Sequence, residues 1–225
     1  MLKNISNLGD AALYCDFGIQ VNKATNLEVI KYFNTIREKK IKGINNLTPS
    51  YNKLIISFDL RVTNFSEIKN KIENLDTTIE QNKNNKKIEV PVCCEENFAL
   101  DRDRLEKKLN LSYQEILKKF FDKEYFCYMT GFIAGMPFLG DIDENLRTHR
   151  LETPRVKVPQ GSVGITEQFA NIYTFDSPGG WNIIGNTPLK VFDDSKERDP
   201  NLINPGDTII FKKISRQEYE SSNDK

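Results

Sequence analysis

Residues 13–21 alternate along the chain: Leu13, Cys15, Phe17, Ile19 and Val21 are apolar, with Tyr14, Asp16, Gly18 and Gln20 between them. Period two predicts a half-buried strand. The period then lengthens. Leu27, Ile30, Phe33 and Ile36 form one helical stripe, and Asn26 stands before them, so the pattern predicts a helix over 27–40 capped by Asn26. Alternation returns in "NKLIISFDL" through Leu54, Ile56, Phe58 and Leu60, and Asn64 then precedes a second stripe of Phe65, Ile68, Ile72 and Leu75. Strand, helix, strands and helix within residues 1–80 predict a small α+β domain of ferredoxin-like type.

The segment "DTTIEQNKNNKK", 76–87, has one apolar residue, Ile79, and reads as a solvated linker. Beyond it "KIEVPVCC" alternates through Ile88, Val90 and Val92. Two short helices follow, the first capped by Asp101, the second opened by the capping box of Ser112 and Glu115. After Glu124 the pattern becomes short apolar runs broken by Gly and Pro: "YFCYMT", "RVKVP", "SVGI", "NIYTF", "WNIIG", "LKVF" and "DTIIFKKI". Such punctuation predicts a second domain over 88–215, a β-barrel or sandwich. Asn204-Pro205-Gly206-Asp207 is a turn, with Pro205 presetting φ and Gly206 supplying a positive one.

Charge and composition narrow the chemistry. Thirty-two basic residues balance 32 acidic ones, which predicts no nucleic-acid partner and no membrane-surface partner. No apolar run reaches the roughly 20 residues of a bilayer span, and the first residues show no signal-peptide pattern. Cys15, Cys93, Cys94 and Cys127 have no CxxC spacing. With His149 the one histidine, no metal site is expected, and buried thiols in a reducing cytoplasm are. The P-loop, dinucleotide, HExxH and GxSxG motifs are absent.

What stands out is "GSVGITEQFANIYTFDSPGGWNIIGNTP", 161–188, with five glycines and Trp181. Glycines let backbone amides approach an anion. Arg150 and Arg155, just before, suit bidentate recognition of a carboxylate or phosphate. On the residues alone an alternative stays open: the glycines only turn tight barrel corners, and the arginines sit on the surface or at an interface. Trp181 is expected to be mostly buried beside Gly179 and Gly180, its indole N–H bonded.

Over residues 88–214 the chain resembles the family that includes the B-type subunit of 5-oxoprolinase, allophanate hydrolase subunit 1 and the Kip-type inhibitors of a sensor histidine kinase. The resemblance rests on Gly131, Phe132, Gly135, Pro137, Leu139, Arg150, Pro154, Arg155 and the "VPQGSVGI" run, then "IYTFDSPGGWNIIGNTPLKVFD". It departs from the family pattern at Ala134, Met136 and His149, and Phe120 stands where a histidine is usual. The resemblance implies a cyclophilin-like barrel behind the small α+β domain. It also implies a subunit, inactive alone, of an ATP-dependent complex that opens 5-oxo-L-proline to L-glutamate. ATP is then shared with A- and C-type partner subunits, the C-type subunit being the direct neighbour. Catalytic roles are implied for Arg150 and Arg155. Contacts to substrate or partner are implied for Gly161, Ser162, Val163, Gly164, Tyr173, Pro178, Gly179 and Gly180. The alternatives are a Kip-type inhibitor that binds a kinase, or a diverged relative of allophanate hydrolase subunit 1.

Overall fold

The computed structural model describes residues 2–77 and 85–223. The chain divides into two compact units, residues 1–84 and 85–225. The expected linker, 76–87, lies largely outside the described residues.

The first unit runs β1 (Asn4–Asn7), β2 (Ala12–Asp16), α1 (Lys23–Lys39), β3 (Ile44–Pro49), β4 (Lys53–Phe58) and α2 (Phe65–Glu73). Its antiparallel sheet has the order β1-β2-β4-β3. Because β4 lies between β2 and β3, the β2-α1-β3 crossover is split, as in ferredoxin-like folds. The position beside β2 is filled by β1, from the start of the chain. Leu13, Cys15, Leu54 and Ile56 of the sheet and Ile68 and Ile72 of α2 are fully buried in one core.

Two boundaries differ from the hydrophobic pattern. The strand stops at Asp16, whose carboxylate accepts the Gly18 N–H at 2.7 Å and the Lys53 ammonium at 2.7 Å. Gly18 takes φ 120°, and Ile19, apolar though it is, stands 93% exposed. The helix starts earlier than expected: Asn22 caps it, accepting from Thr25 N at 2.9 Å. Asn26 lies inside α1, buried, where its amide donates to the Ser50 and Tyr51 carbonyls at 3.0 and 2.9 Å. It thus ties the helix to the β3–β4 hairpin. Asn64 caps α2 as expected, through Glu67 N at 3.0 Å.

The second unit comprises β5 (Lys87–Cys93), α3 (Arg102–Leu109), α4 (Tyr113–Phe121), β6 (Glu124–Thr130), β7 (Pro137–Gly140), β8 (Arg155–Val158), β9 (Ser162–Thr166), β10 (Phe169–Ile172), β11 (Ser177–Gly179), β12 (Asn182–Asn186), β13 (Thr208–Ile214) and α5 (Arg216–Asn223). A closed barrel runs β10-β7-β6-β13-β5-β12-β9, and β10 pairs with β9 to complete it. The first and last strands of the barrel, β5 and β13, are parallel neighbours through seven residue pairs. Strands β8 and β11 form a separate ribbon. Val90, Val92, Leu139, Val163, Ile165 and Ile172 fill the interior, and the cluster continues onto α3 and α4 through Leu105, Ile116 and Phe120. The fold is α+β, a ferredoxin-like unit ahead of a cyclophilin-like barrel.

Several local signals are realised directly. The Ser112–Glu115 capping box forms, and Gly206 takes φ 98° in its turn, with Asp207 N bonded to the Asn204 carbonyl at 3.0 Å. The expected strand "LKVF" reduces to a single bridge, Phe192 with Asn201. There Asp193 turns the chain, accepting from Ser195 Oγ and Lys190 Nζ, each at 2.7 Å.

All four cysteines are buried as free thiols. Burial pushes Cys15 and Cys94 up to about 12 and raises Cys93 and Cys127 as well. Since the thiolate is the nucleophile, native protein is expected to resist iodoacetamide at pH 8. All four sites should alkylate in denaturant, which mass spectrometry reads directly.

Candidate functional site

Register places Phe138, Asn171, Gly164 and Ile183 side by side across β7, β10, β9 and β12. Paired residues share a face, and their neighbours Leu139, Ala170 and Ile165 fill the interior, so this row lies on the barrel's outer face. The row is covered by a second apolar cluster of Met136, Val158, Tyr173 and Ile183, edged by Ile133, Phe138 and Trp181. Val158 belongs to the β8–β11 ribbon, which also brings Arg155 opposite Gly179.

Arg155 is held in place. Its Nη2 donates to Asp101 Oδ1 at 2.6 Å, and Asp101 Oδ2 accepts Ile183 N from β12 at 2.7 Å. The Asp101 side chain is 4% exposed, so this ion pair is screened far less than a surface pair. Contrary to the expected cap of α3, Asp101 makes no cap bond. Its carboxylate is committed instead to a strand amide and a guanidinium from distant parts of the chain. The other nitrogen of the fork, Arg155 Nη1, is buried with no hydrogen-bond partner among the described residues. An unpaired buried donor of this kind is costly unless an acceptor arrives.

Tyr173 stands next to this arginine. Burial raises its phenol, which the Trp181 backbone N–H and the Asn171 side chain contact, so it is a neutral hydroxyl at pH 7. A Cβ at Gly179 would collide with the Tyr173 hydroxyl. Glycine is therefore required here by close approach. Gly179→Ala is expected to cost about 1–3 kcal/mol, the usual scale for overpacking. Tyr173→Phe in the same chain should restore part of it. Denaturant midpoints of the two single variants and the double variant check this.

Two of the expected site residues, Arg155 and Gly179, thus meet a third, Tyr173. The others are placed differently. Gly161, Ser162, Val163 and Gly164 are buried, and their backbone is occupied: Gly161 N donates to the Tyr173 carbonyl at 2.8 Å, Ser162 N to the Pro159 carbonyl at 3.2 Å, and Val163 and Gly164 lie in the ladders between β10 and β12. They do not offer amides to an anion. Gly161 takes φ 79°, and a side chain there would strike the Thr187 carbonyl and Asn186. Gly164 leaves room for Asn171 Oδ1 and Trp181 Cβ, which a Cβ would meet at 2.8 and 2.9 Å. These glycines serve close packing, and the backbone of 161–164 is taken up by the ladders and turns around it.

Arg150 is exposed, with no side-chain bond among the described residues, on the segment where Leu151 N reaches the Gly180 carbonyl at 2.7 Å. Pro178 is exposed and Gly180 buried. Trp181 is half-buried, edge-on to Phe138 at 5.7 Å, and its indole meets no acceptor among the described residues. Its size alone predicts a deeper position, but the row beneath it is already filled by Asn171 and Ile183. The residue that local reasoning passes over is Asp101; the signal available is an acidic side chain in a chain whose arginine requires a counter-charge. Among the described residues no group of acidic, His or Cys side chains is arranged to hold a metal ion, and no helix is long and apolar enough to cross a membrane.

A split βαβ unit ahead of a closed barrel, with a pinned arginine on the barrel's outer face, defines the class of protein. The family described as carboxyltransferase domain, subdomain C and D, matches residues 3–203, and the chain belongs to it. The chain is 31% identical over 229 residues to the B-type subunit of 5-oxoprolinase from Bacillus subtilis, covering 96% of this chain and 95% of that one. Among solved structures it resembles TTHA0988 with a TM-score of 0.82 at 26% identity, over 91% of this chain but only 40% of that longer one. The Kluyveromyces lactis urea amidolyase shares the fold, with a TM-score of 0.77 at 17% identity over 96% of this chain and 15% of that one.

Proposed function

We propose that this chain is the B-type subunit of an ATP-dependent 5-oxoprolinase, which opens 5-oxo-L-proline to L-glutamate within a cytoplasmic complex of A- and C-type partners. The observation that carries the reading is the free Nη1 of Arg155. Asp101 holds one half of the fork, and the other half is a buried charged donor that nothing among the described residues accepts, on the residue paired with Gly179. 5-Oxoproline has an anionic carboxylate and a lactam carbonyl, either of which supplies such an acceptor. A preorganised charge of this kind orients a substrate and stabilises an oxyanion without reorganising. Tyr173, neutral, donates a second hydrogen bond, and the cluster of Met136, Val158 and Ile183 keeps water away. Exposed Arg150 is open to a partner subunit.

One free nitrogen over an apolar cluster suits a single oxygen and does not fit a triphosphate. The nucleotide therefore belongs to the partner subunits in this reading, and no step at this site runs through it. The Bacillus subtilis relative is named as one subunit of its enzyme, which supports an assembly of several chains.

The test is reconstitution with A- and C-type subunits, following glutamate released from 5-oxo-L-proline. Glutamate should appear only with ATP and all partners, and the isolated chain should hydrolyse neither compound. No glutamate from a complex of otherwise active partners, together with a block of sensor-kinase autophosphorylation by this chain, would establish the inhibitor reading instead. His149 should not matter. It is 92% exposed and bonds Glu167 at 2.5 Å, so His149→Ala is expected to leave both the rate and its pH profile unchanged.

A further inference from the structure

The first unit carries a groove that the barrel site does not use. The last turn of α1, the 41–43 connection and β3 enclose about 560 Å3. Phe33, Ile36 and Ile41 give it an apolar floor, and Arg37, Lys40 and Lys42 a cationic rim. Among the described residues no acidic side chain lines it, and none of these three cations makes an ion pair. Arg37 lies over the Phe33 ring at 5.2 Å, which holds its charge at the rim.

Among the described residues strand β3 is bonded to β4 alone, which leaves it at the edge of its sheet. Ser50 N bonds the Lys53 carbonyl at 2.8 Å, and bonded and non-bonded pairs alternate along antiparallel strands. Counting back through Pro49↔Leu54 and Thr48↔Ile55 makes Leu47↔Ile56 a non-bonded pair. The N–H and C=O of Leu47 therefore point away from β4, at the open edge. An edge strand with free backbone groups beside a helix, with an apolar trough between them, is the arrangement by which an extended chain adds a strand. Its alternate side chains enter the trough, and the cationic rim selects acidic residues among the rest.

We propose that this groove binds an extended, acidic segment of a partner protein, added to the sheet along β3, with apolar side chains on Phe33, Ile36 and Ile41 and carboxylates at Arg37, Lys40 and Lys42. The inference stands apart from the barrel site and from the reaction assigned to it. The competing view is that the lysines merely guard the edge against aggregation.

The experiment uses the full chain, isotope-labelled, and a soluble peptide of alternating valine and glutamate, with amide NMR and hydrogen exchange as readouts. The Leu47 amide should exchange more slowly with peptide present, and shifts should concentrate on β3 and the end of α1. Raising salt from about 0.05 to 0.5 M should weaken binding by about tenfold, since exposed charges are screened over that range. The Lys40→Glu/Lys42→Glu variant should lose binding by a similar factor while melting as the parent does. A peptide N-methylated at alternate residues, which cannot form a ladder, should not bind. The proposal is overturned by no binding, by equal binding of the methylated or lysine-for-glutamate peptide, or by self-association of the chain through β3.

Discussion

Arg155→Ala is expected to lower glutamate formation by the reconstituted complex about 10²-fold or more, the scale for removing one preorganised charge-stabilising donor. The reasoning is geometric. Asp101 grips Nη2 and so fixes the plane in which Nη1 lies. Arg155→Lys should recover only part of the loss, because an ammonium at Asp101 has no second, separately aimed nitrogen to present. The alanine variant also leaves the buried Asp101 carboxylate with its strand amide but without its counter-charge. Removing one partner of a buried pair destabilises, so the melting curve must be measured beside the rate. A variant that stays folded and keeps full activity would remove Arg155 from the chemistry.

The second large effect concerns Phe120, which stands where the resemblance of the sequence implies a histidine. Here the ring is fully buried, packed on Tyr125 at 5.2 Å, Phe211 at 4.8 Å and Phe121 at 5.4 Å. Phe120→Ala is expected to cost about 3–5 kcal/mol, the range for emptying an aromatic site in a core. Phe120→His should also destabilise, by about 1–3 kcal/mol, because its ring nitrogens would lack partners among these aromatics. It should add no activity, since this position belongs to the barrel core and not to the outer-face cluster of Tyr173 and Met136. Denaturant midpoints test the first part and the reconstituted assay the second. A histidine variant that raised the rate would show that the residue acts in catalysis after all.

The parts of this fold that are legible in the residues are those where burial alone decides. Strands β2, β4 and β5 bury one face and so alternate, and α2 and α4 bury one stripe each. The edge strands are not legible. Strand β1 reads "NISN" with only Ile5 buried, and β3 reads "INNLTP" with no residue fully buried. An edge strand is held by backbone bonds from one side, which leave no mark on the choice of side chains. Asp101 misleads for a related reason. Its neighbours describe a helix start, but a strand amide and a guanidinium 54 residues away compete for the same oxygens and win. The run from Gly161 to Gly164 has two physical explanations, open amides or tight packing, and only the position of Tyr173, Asn171 and Thr187 chooses between them. Arg155 and Gly179 stand out from their sequence context, but their meeting at Tyr173 depends on the ribbon crossing the barrel wall.

The parallel seam between Lys87–Cys93 and Thr208–Ile214 sets an order of events during synthesis. The first sheet needs nothing beyond its own local stretch, so it can assemble while the remainder is still being made. The barrel has no such freedom: its opening strand has to wait, one flank bare, until the closing strand has been translated. Contacts so distant in sequence are slow to form and leave aggregation-prone intermediates exposed meanwhile. Recombinant yield should accordingly be governed by the second unit, and lower growth temperature or chaperone supply should improve it more than any change to the first.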